Sequence, residues 1–162
     1  FLPKRTFKDK LSLGKGKDQI DLYYFGRGHT DGDTFVVFTA LRTMHAGDMF
    51  ARKATPFIDA NNGGSGVEFP KTLAKVIGGI KNVDTVITGH MAPATWNELK
   101  EFAEFNQDFL SFAEAAAKAG KTAEQAGAEY KIPEKYKDYT VNSRFGGPKG
   151  NIQLIYDELK KK

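Results

Sequence analysis

Alternating hydrophobic and polar positions predict four short strands in the first 47 residues, over residues 11–13, 19–25, 34–39 and 42–46. In the second of these, Ile20, Leu22 and Tyr24 share one face, because successive side chains of a strand point to opposite sides. Glycines at positions 14 and 16 indicate a turn between the first two strands. The pattern therefore favours a small sheet built from chain-adjacent strands.

The periodicity then changes from two residues to about 3.6. Residues 70–80 place Leu73, Val76 and Ile80 at the spacing of an amphipathic helix, and residues 83–88 resume a strand pattern. A strand–helix–strand passage thus follows the first four strands. Strands first and helices later predict a mixed α/β layered fold.

Two capping-box patterns predict helices in the last third of the chain. Thr95 followed by Glu98 begins a helical pattern that runs to Lys118, and Thr122 followed by Gln125 begins a shorter one. The phenylalanines of the first helix, at positions 102, 105, 109 and 112, are typical of core packing.

The segment over residues 145–150 holds three glycines and a proline. Neither a helix nor a strand is expected to pass through so many breaking residues, so we predict a loop there. A final helix is predicted over residues 151–160.

The composition excludes several classes of protein. The chain has 162 residues, 40% of them hydrophobic, and no cysteine, so one domain can bury a core without disulfides or zinc–thiolate sites. Its longest apolar run, residues 35–41, is far shorter than the roughly 18 residues of a membrane span. Residues 1–5 lack the initiator Met and the apolar region of a signal peptide.

The excess of positive charge is confined to the end of the chain. Residues 1–117 carry 14 Lys and Arg and 14 Asp and Glu, whereas residues 118–162 carry 10 and 6. The lysines of this last part alternate with acidic residues, which is typical of a solvated surface. We therefore expect no nucleic-acid partner and no membrane partner.

The glycine-rich segment over residues 26–33 does not have the pattern of a nucleotide site. A dinucleotide fingerprint that starts at Gly26 requires glycine at position 31, where this chain has Asp31, and a strand follows instead of a helix. No phosphate-binding loop of the G-x-x-x-x-G-K-[ST] type occurs either.

Three residues combine metal-ligating chemistry with a position beside glycine near strand ends: His29, Asp48 and His90. Taken singly, each is as expected in an ordinary polar turn. Together they are able to converge at one edge of a sheet, where two imidazoles and one carboxylate suit zinc, or iron or manganese. His45 lies inside a strand pattern, so we expect it to be structural or to support the ligands.

At these residues the sequence resembles the metallo-β-lactamase superfamily. Residues 29–33 (HTDGD) look like its third metal motif, residues 46–48 (AGD) like its fourth and residues 88–90 (TGH) like its fifth. The loop over residues 56–65 is also similar to the stretch that follows the fourth motif. The resemblance implies half of an αββα sandwich, with a core over residues 6–118 and a helical extension over residues 119–162.

The resemblance also implies roles for the three residues. His29 would bind a first zinc ion, Asp48 would bridge two ions and His90 would bind the second. A metal-held hydroxide would attack an ester, lactone, thioester or amide of a small-molecule substrate. Asn62 and Ser65 either face that substrate or serve as turn and capping residues.

The superfamily's second motif, H-x-H-x-D-H, is absent from this sequence. The chain therefore resembles only a C-terminal half, is expected to be inactive alone, and is expected to pair with the N-terminal half of the fold or with a second copy of itself. The alternative is a non-catalytic fragment used for association.

Overall fold

A computed structural model describes residues 4–161, apart from the side chain of Phe145. Phe1, Leu2 and Pro3, which belong to the segment without a signal-peptide pattern, lie outside the described residues, as does Lys162. One mixed sheet and four α-helices form the architecture. The strands are β1 (Lys10–Leu13), β2 (Ile20–Tyr23), β3 (Phe35–Phe38), β4 (Thr43–Gly47), β5 (Thr85–Thr88) and β6 (Ala94–Thr95), and the helices are α1 (Phe69–Gly79), α2 (Trp96–Lys118), α3 (Ala123–Glu129) and α4 (Gly147–Leu159).

The six strands lie in the sheet in the order in which they occur along the chain. Neighbouring strands are antiparallel except β4 and β5, which are parallel and are connected through α1. The predicted strand–helix–strand passage and the mixed α/β class are both confirmed. Strand β6 was not predicted, because two residues are too few to show a periodicity.

One face of the sheet packs against α1 and α2; we call it the covered face. Phe35, Val37, Met44 and Val86 point to this side and are at most 5% exposed. They belong to one hydrophobic cluster with Leu73 of α1 and with phenylalanines of α2. The covered face therefore supplies the main core.

The opposite side of the sheet, the open face, is also apolar. Its hydrophobic side chains form a patch in register across β1, β2 and β3, and Thr43 and His45 of β4 separate this patch from Ile87 of β5. The patch consists of Leu11, Leu13, Ile20, Leu22, Val36 and Phe38. Leu13 is exposed and the others are half-buried, and none belongs to either hydrophobic cluster of the described residues. The chain thus has an apolar sheet surface outside its own core.

Both predicted capping boxes are present. Thr95 accepts a hydrogen bond from the Glu98 backbone while the Glu98 side chain accepts one from the Thr95 backbone, and Thr122 and Gln125 do the same at the start of α3. Each reciprocal pair satisfies backbone N–H groups that have no partner within the first turn. The sequence located both helix starts correctly.

The prediction of a loop over residues 145–150 was wrong for most of that segment. Helix α4 begins at Gly147, directly after a one-turn 3-10 helix over Arg144–Gly146. Pro148 lies in the first turn of α4. Backbone N–H groups of a first turn have no carbonyl partner within the helix, so a proline there removes no helical hydrogen bond. Gly147 has a φ of 63°, which glycine adopts without strain.

Helices α2, α3 and α4 form a second hydrophobic cluster around Phe109, Ile152 and Ile155. Buried hydrogen bonds fasten this part to the rest of the domain, including one from Asn151 Nδ2 to the carbonyl of Pro56. The extension therefore packs on the core. Within residues 4–161, the helices are all too short or too polar to cross a membrane.

Candidate metal centre

Two parallel strands bring Asp48 and His90 to the same edge of the sheet. Asp48 directly follows β4 and His90 lies two residues after β5. Gly47 turns the chain at the end of β4 with a φ of 52°. The N–H groups of Gly89 and His90 donate to carbonyls of the turn after Asp48, at 3.2 and 2.9 Å. These bonds fix the two loops against each other.

His29 comes from the loop between β2 and β3 and is held by a different segment. Its Nδ1 lies 2.8 Å from the carbonyl oxygen of Phe57, and its ring stacks on the Phe57 ring with centroids 4.8 Å apart. The N–H of Asp59 also donates to the His29 carbonyl. The Phe57 ring further makes an edge contact with His90, at 6.5 Å between centroids. Phe57 thus contacts both imidazoles.

The carboxylate of Asp48 lies between the two histidines. His29 Nε2 is 3.4 Å from Asp48 Oδ2, and His90 Nε2 is 3.2 Å from Asp48 Oδ1. The side chains of His29 and Asp48 are 13% and 25% exposed, and that of His90 is 47% exposed. The three residues that the sequence singled out are therefore brought together, at a site open to solvent on the His90 side.

This arrangement is not a complete metal cage. Among residues 4–161, no group of three or more His, Asp or Glu side chains surrounds a single point as metal ligands do. Each imidazole approaches a different oxygen of the Asp48 carboxylate.

In each histidine–Asp48 pair, the distance between the nitrogen and oxygen donors fits zinc. Zinc bonds of about 2.0–2.1 Å in a tetrahedron place neighbouring donor atoms roughly 3.3 Å apart. The distances of 3.4 and 3.2 Å at Asp48 agree with that value. Nitrogen and carboxylate donors also suit this ion by chemistry.

Gly89 is required for the close approach of Asp48 to β5. A methyl group on Gly89 would overlap Asp48 Oδ1 and would lie 3.0 Å from the Gly47 carbonyl. The glycine before His90 therefore has a steric role at the site.

The remaining polar residues of the motifs have structural partners. Asp33 accepts hydrogen bonds from the backbone and hydroxyl of Thr30, and Asp31 accepts one from the hydroxyl of Tyr24. His45 is an exposed residue of β4, where it shares the open face with Val36. Both motif carboxylates therefore stabilise the loop that carries His29.

Asn62 and Ser65 have the turn and capping role that the sequence left open. Asn62 donates from its backbone and side chain to Asp59. Ser65 is fully buried, accepts from the backbone of Glu68 and donates to Glu158. These bonds fix the loop and the start of α1.

Sequence reasoning missed the residues that surround the site from other segments. Phe57 was part of a recognised loop but had no assigned role, and Arg52, Asn142 and Arg144 were not considered. These last three line a small pocket beside Asp48 and His90. The sequence contains no signal for them, because the pocket is formed by the docking of the extension.

Comparison with known proteins identifies the fold. No family profile and no curated protein sequence matches the chain. Among solved structures, a stereoselective inverting sec-alkylsulfatase from Pseudomonas sp. matches with a TM-score of 0.75 and 14% identity over 94% of this chain and 26% of its own. A metallo-β-lactamase from Pontibacter korlensis matches at 0.55 and 17% over 65% and 49%, and the metallo-β-lactamase DIM-1 at 0.53 and 15% over 62% and 46%.

The extents of these matches differ. Residues 1–118 make up less than three quarters of the chain, so a match over 94% of it includes much of the segment after α2. The β-lactamase matches do not require that segment. The chain spans about a quarter of the sulfatase chain and about half of each β-lactamase chain. Its fold is therefore mixed α/β and corresponds to half of a metallo-β-lactamase fold.

Proposed function

We propose that this chain contributes part of the active site of a metal-dependent hydrolase of the metallo-β-lactamase superfamily. His29 would hold a first ion, Asp48 would bridge two ions, and His90 would hold the second. Zinc suits the donors best, and iron or manganese would also be accepted by imidazole and carboxylate.

The observation that carries the proposal is the position of the Asp48 carboxylate between two imidazoles. Because a carbonyl oxygen only accepts, the Phe57 carbonyl fixes a hydrogen on His29 Nδ1 and turns Nε2 towards Asp48. Nε2 lies 3.4 Å from a carboxylate oxygen of Asp48. A proton on Nε2 or a metal ion between the two atoms would satisfy this contact, and we propose the metal ion because His90 approaches the other oxygen of the same carboxylate in the same way.

A divalent ion held by these residues would supply the activation of water and the polarisation of the substrate oxygen. The chain's own residues position the donors. Phe57 orients the His29 ring through its carbonyl and its ring face. Gly89 leaves room for the carboxylate.

The proposed substrate class combines what the sequence resemblance implies with what the structural neighbours act on. An ester, lactone, thioester or amide suits attack by such a nucleophile, and the sulfatase neighbour adds sulfate esters. That neighbour is favoured because its likeness includes the segment after α2, which lines the pocket beside Asp48.

Zinc titration of the chain tests the metal assignment. Only three histidines are present, so NMR signals of their ring nitrogens can be followed individually. We expect zinc to shift His29 and His90 and to leave His45 unchanged, with weak binding because the ligand set is incomplete. His90→Ala should reduce zinc uptake and His45→Ala should not.

Glycine variants test the geometry of the site. Gly89→Ala should weaken zinc binding by displacing Asp48, whereas Gly78→Ala, in open space on α1, should not. Equal zinc responses of all three histidines, or a response unchanged by His90→Ala and Gly89→Ala, would contradict the proposal and favour a non-catalytic association module.

We further propose that the open face binds a second half-sandwich that carries the H-x-H-x-D-H ligands. Two observations support this partner. The open face carries an apolar patch across β1, β2 and β3 that lies outside both hydrophobic clusters of the described residues, and the β-lactamase neighbours are about twice as long as the matched part of this chain. Apolar surface left in water costs about 25 cal/mol per Å².

Sedimentation tests the partner. The chain should associate with a polypeptide that carries an N-terminal half of this fold, and the complex should bind zinc more tightly than the chain alone. If the chain associates with itself and does not bind the N-terminal half, the partner is a second copy of the chain. A well-folded monomer with no tendency to associate in either case would refute the proposed partner.

A further inference from the structure

The loop over residues 56–66 holds His29 in place. The Phe57 carbonyl oxygen lies 2.8 Å from His29 Nδ1, and the Phe57 ring stacks on the imidazole. Farther along the loop, the N–H of Asp59 donates to the His29 carbonyl at 2.8 Å, and the N–H of Ser65 donates at 2.9 Å to the carbonyl of the glycine before His29. The position of His29 therefore depends on the position of this loop.

Helix α4 of the extension holds both ends of the same loop. At the first end, Asn151 Nδ2 donates to the carbonyl of Pro56 at 2.7 Å. At the other end, the Glu158 carboxylate accepts from the Ser65 hydroxyl and, at 2.9 Å, from the N–H of Gly66. Two side chains on one side of the helix thus bind the loop at two separate points.

The contacts between α4 and the loop are closely packed. Asn151 is 3% exposed and Ser65 is fully buried. Gly66 lies so close to Ile155 of α4 that a methyl group on the glycine would overlap the isoleucine side chain. Hydrogen bonds that are shielded from water, or that end on a carboxylate, are stronger than exposed neutral ones. The loop is therefore firmly attached to the helix.

We infer that Asn151 and Glu158 are positioning residues for His29, and that α4 sets the orientation of this imidazole through the 56–66 loop. That His29 binds a metal ion rests on the proposed function. Groups that orient a ligating histidine from outside the ligand set contribute to metal affinity, because they fix the ring and the nitrogen that faces the ion.

His90 provides an internal comparison. Its backbone N–H donates at 2.9 Å to the carbonyl of Ala51, in the turn after Asp48, and its ring meets Phe57 edge-on at 6.5 Å between centroids. His29 has the closer, stacked contact with Phe57 and the bond to its carbonyl. A displacement of the loop should therefore affect His29 more than His90.

The test is NMR of the imidazole nitrogens in the zinc-free chain at one neutral pH. Asn151→Ala and Glu158→Ala should each change the His29 Nδ1 signal, because a displaced Phe57 carbonyl no longer fixes a hydrogen on that nitrogen. The signals of His45 should stay unchanged. In a zinc titration of the same variants, the affinity measured at His29 should fall by about threefold to tenfold.

Three further variants of α4 separate positioning from a general loss of stability. Gln153 is exposed and donates to Asp157 of the same helix at 2.9 Å, so Gln153→Ala should leave the histidine signals unchanged. Ile152→Val should destabilise the buried side of α4 without moving His29. Glu158→Gln keeps one acceptor and one donor for the two bonds, so it should restore the His29 signal of the parent.

His29 signals and zinc affinities equal to those of the parent in both alanine variants would refute the positioning role. An equal response of His29 to Ile152→Val, at the same loss of stability, would also refute it, because the effect would then follow from destabilisation alone. Glu158 is half-buried near the end of α4, so its variants are expected to fold even if Asn151→Ala does not, and they then decide the outcome.

The zinc-free spectra keep this result separate from the proposed function. If Asn151→Ala and Glu158→Ala change the His29 signal while zinc affects neither His29 nor His90 of the parent, the positioning role stands and the metal assignment fails. If zinc shifts both histidines with the affinity of the parent in every variant, and the zinc-free His29 signal is also that of the parent, the metal assignment stands and the positioning role is refuted.

Discussion

The two faces of the sheet are built from the same strands and are both apolar, yet they have different surroundings. On β3, Phe35 is fully buried on the covered face, whereas Phe38 is only half-buried on the open face. The covered face packs against α1 and α2, and the open-face side chains lie outside both hydrophobic clusters of the described residues.

The covered face contributes to the stability of the fold, whereas the open face is the one available for association. Burial on the covered face removes apolar surface from water within the chain and so stabilises the fold. The open face keeps an apolar patch in contact with water, and the proposed second half-sandwich would cover that patch. The comparison therefore predicts that substitutions on the two faces affect different measurements.

The largest difference is expected between two substitutions on β3. Phe35→Ala should lower the free energy of unfolding by about 3–5 kcal/mol, because it leaves a cavity in the core. Phe38→Ala should lower it by only about 1 kcal/mol, because its ring is already partly in water. Urea denaturation of both variants measures the difference. Equal losses would show that the open face is covered in solution.

The second prediction concerns Asp21, a 5% exposed carboxylate on the covered face. Burial opposes its ionisation, but hydrogen bonds from Ser12, Lys10 and Gln19 outweigh this and lower its pKa to about 2. Because the folded pKa lies below the unfolded value, Asp21 stabilises the fold above about pH 4, and this stabilisation is lost as the pH falls through 2. We expect a contribution of about 1–2 kcal/mol.

Denaturation at several pH values between 7 and 2 measures this contribution. Asp21→Asn should be less stable than the parent at pH 7, and the difference should shrink towards pH 2. The exposed Asp18 offers a matched control, as Asp18→Asn should change the free energy of unfolding at pH 7 by about 0.5 kcal/mol or less. A constant difference between the parent and Asp21→Asn at every pH would contradict the role given to the Asp21 charge.

The smallest effect on stability is expected for a charge on the open face. Val36→Lys should change the free energy of unfolding of the isolated chain by about 0.5 kcal/mol or less, because a long cationic side chain reaches water there. It should nevertheless abolish association with a second half-sandwich, since pairing would bury the charge. Sedimentation and denaturation of the same variant supply both measurements. Association equal to that of the parent would exclude the open face as the interface.

Local patterns in the sequence were sufficient for most elements. The first five strands, α1 and both capping boxes follow from periodicity and from residue types within a few positions. Two errors have local causes, since β6 is too short to show alternation and α4 tolerates Pro148 and its neighbouring glycines in its first turn.

The site was predictable in part for a similar reason. Glycines beside His29, Asp48 and His90 are local signals, and parallel pairing of β4 and β5 is a general consequence of the strand–helix–strand connection. The role of Phe57 was not predictable, because it depends on its carbonyl and ring meeting His29 across a long loop.

The sequence by itself determined the elements, their order and the three residues with ligand chemistry, because these depend on short-range patterns. The tertiary structure alone decided that Asp48 lies between His29 and His90, that one apolar face remains open, and that Arg144 reaches the pocket. These features depend on contacts between residues far apart in the chain, which no local periodicity encodes. The basic extension, whose charge distribution is typical of a solvated surface, thereby contributes an arginine to the surroundings of the candidate site.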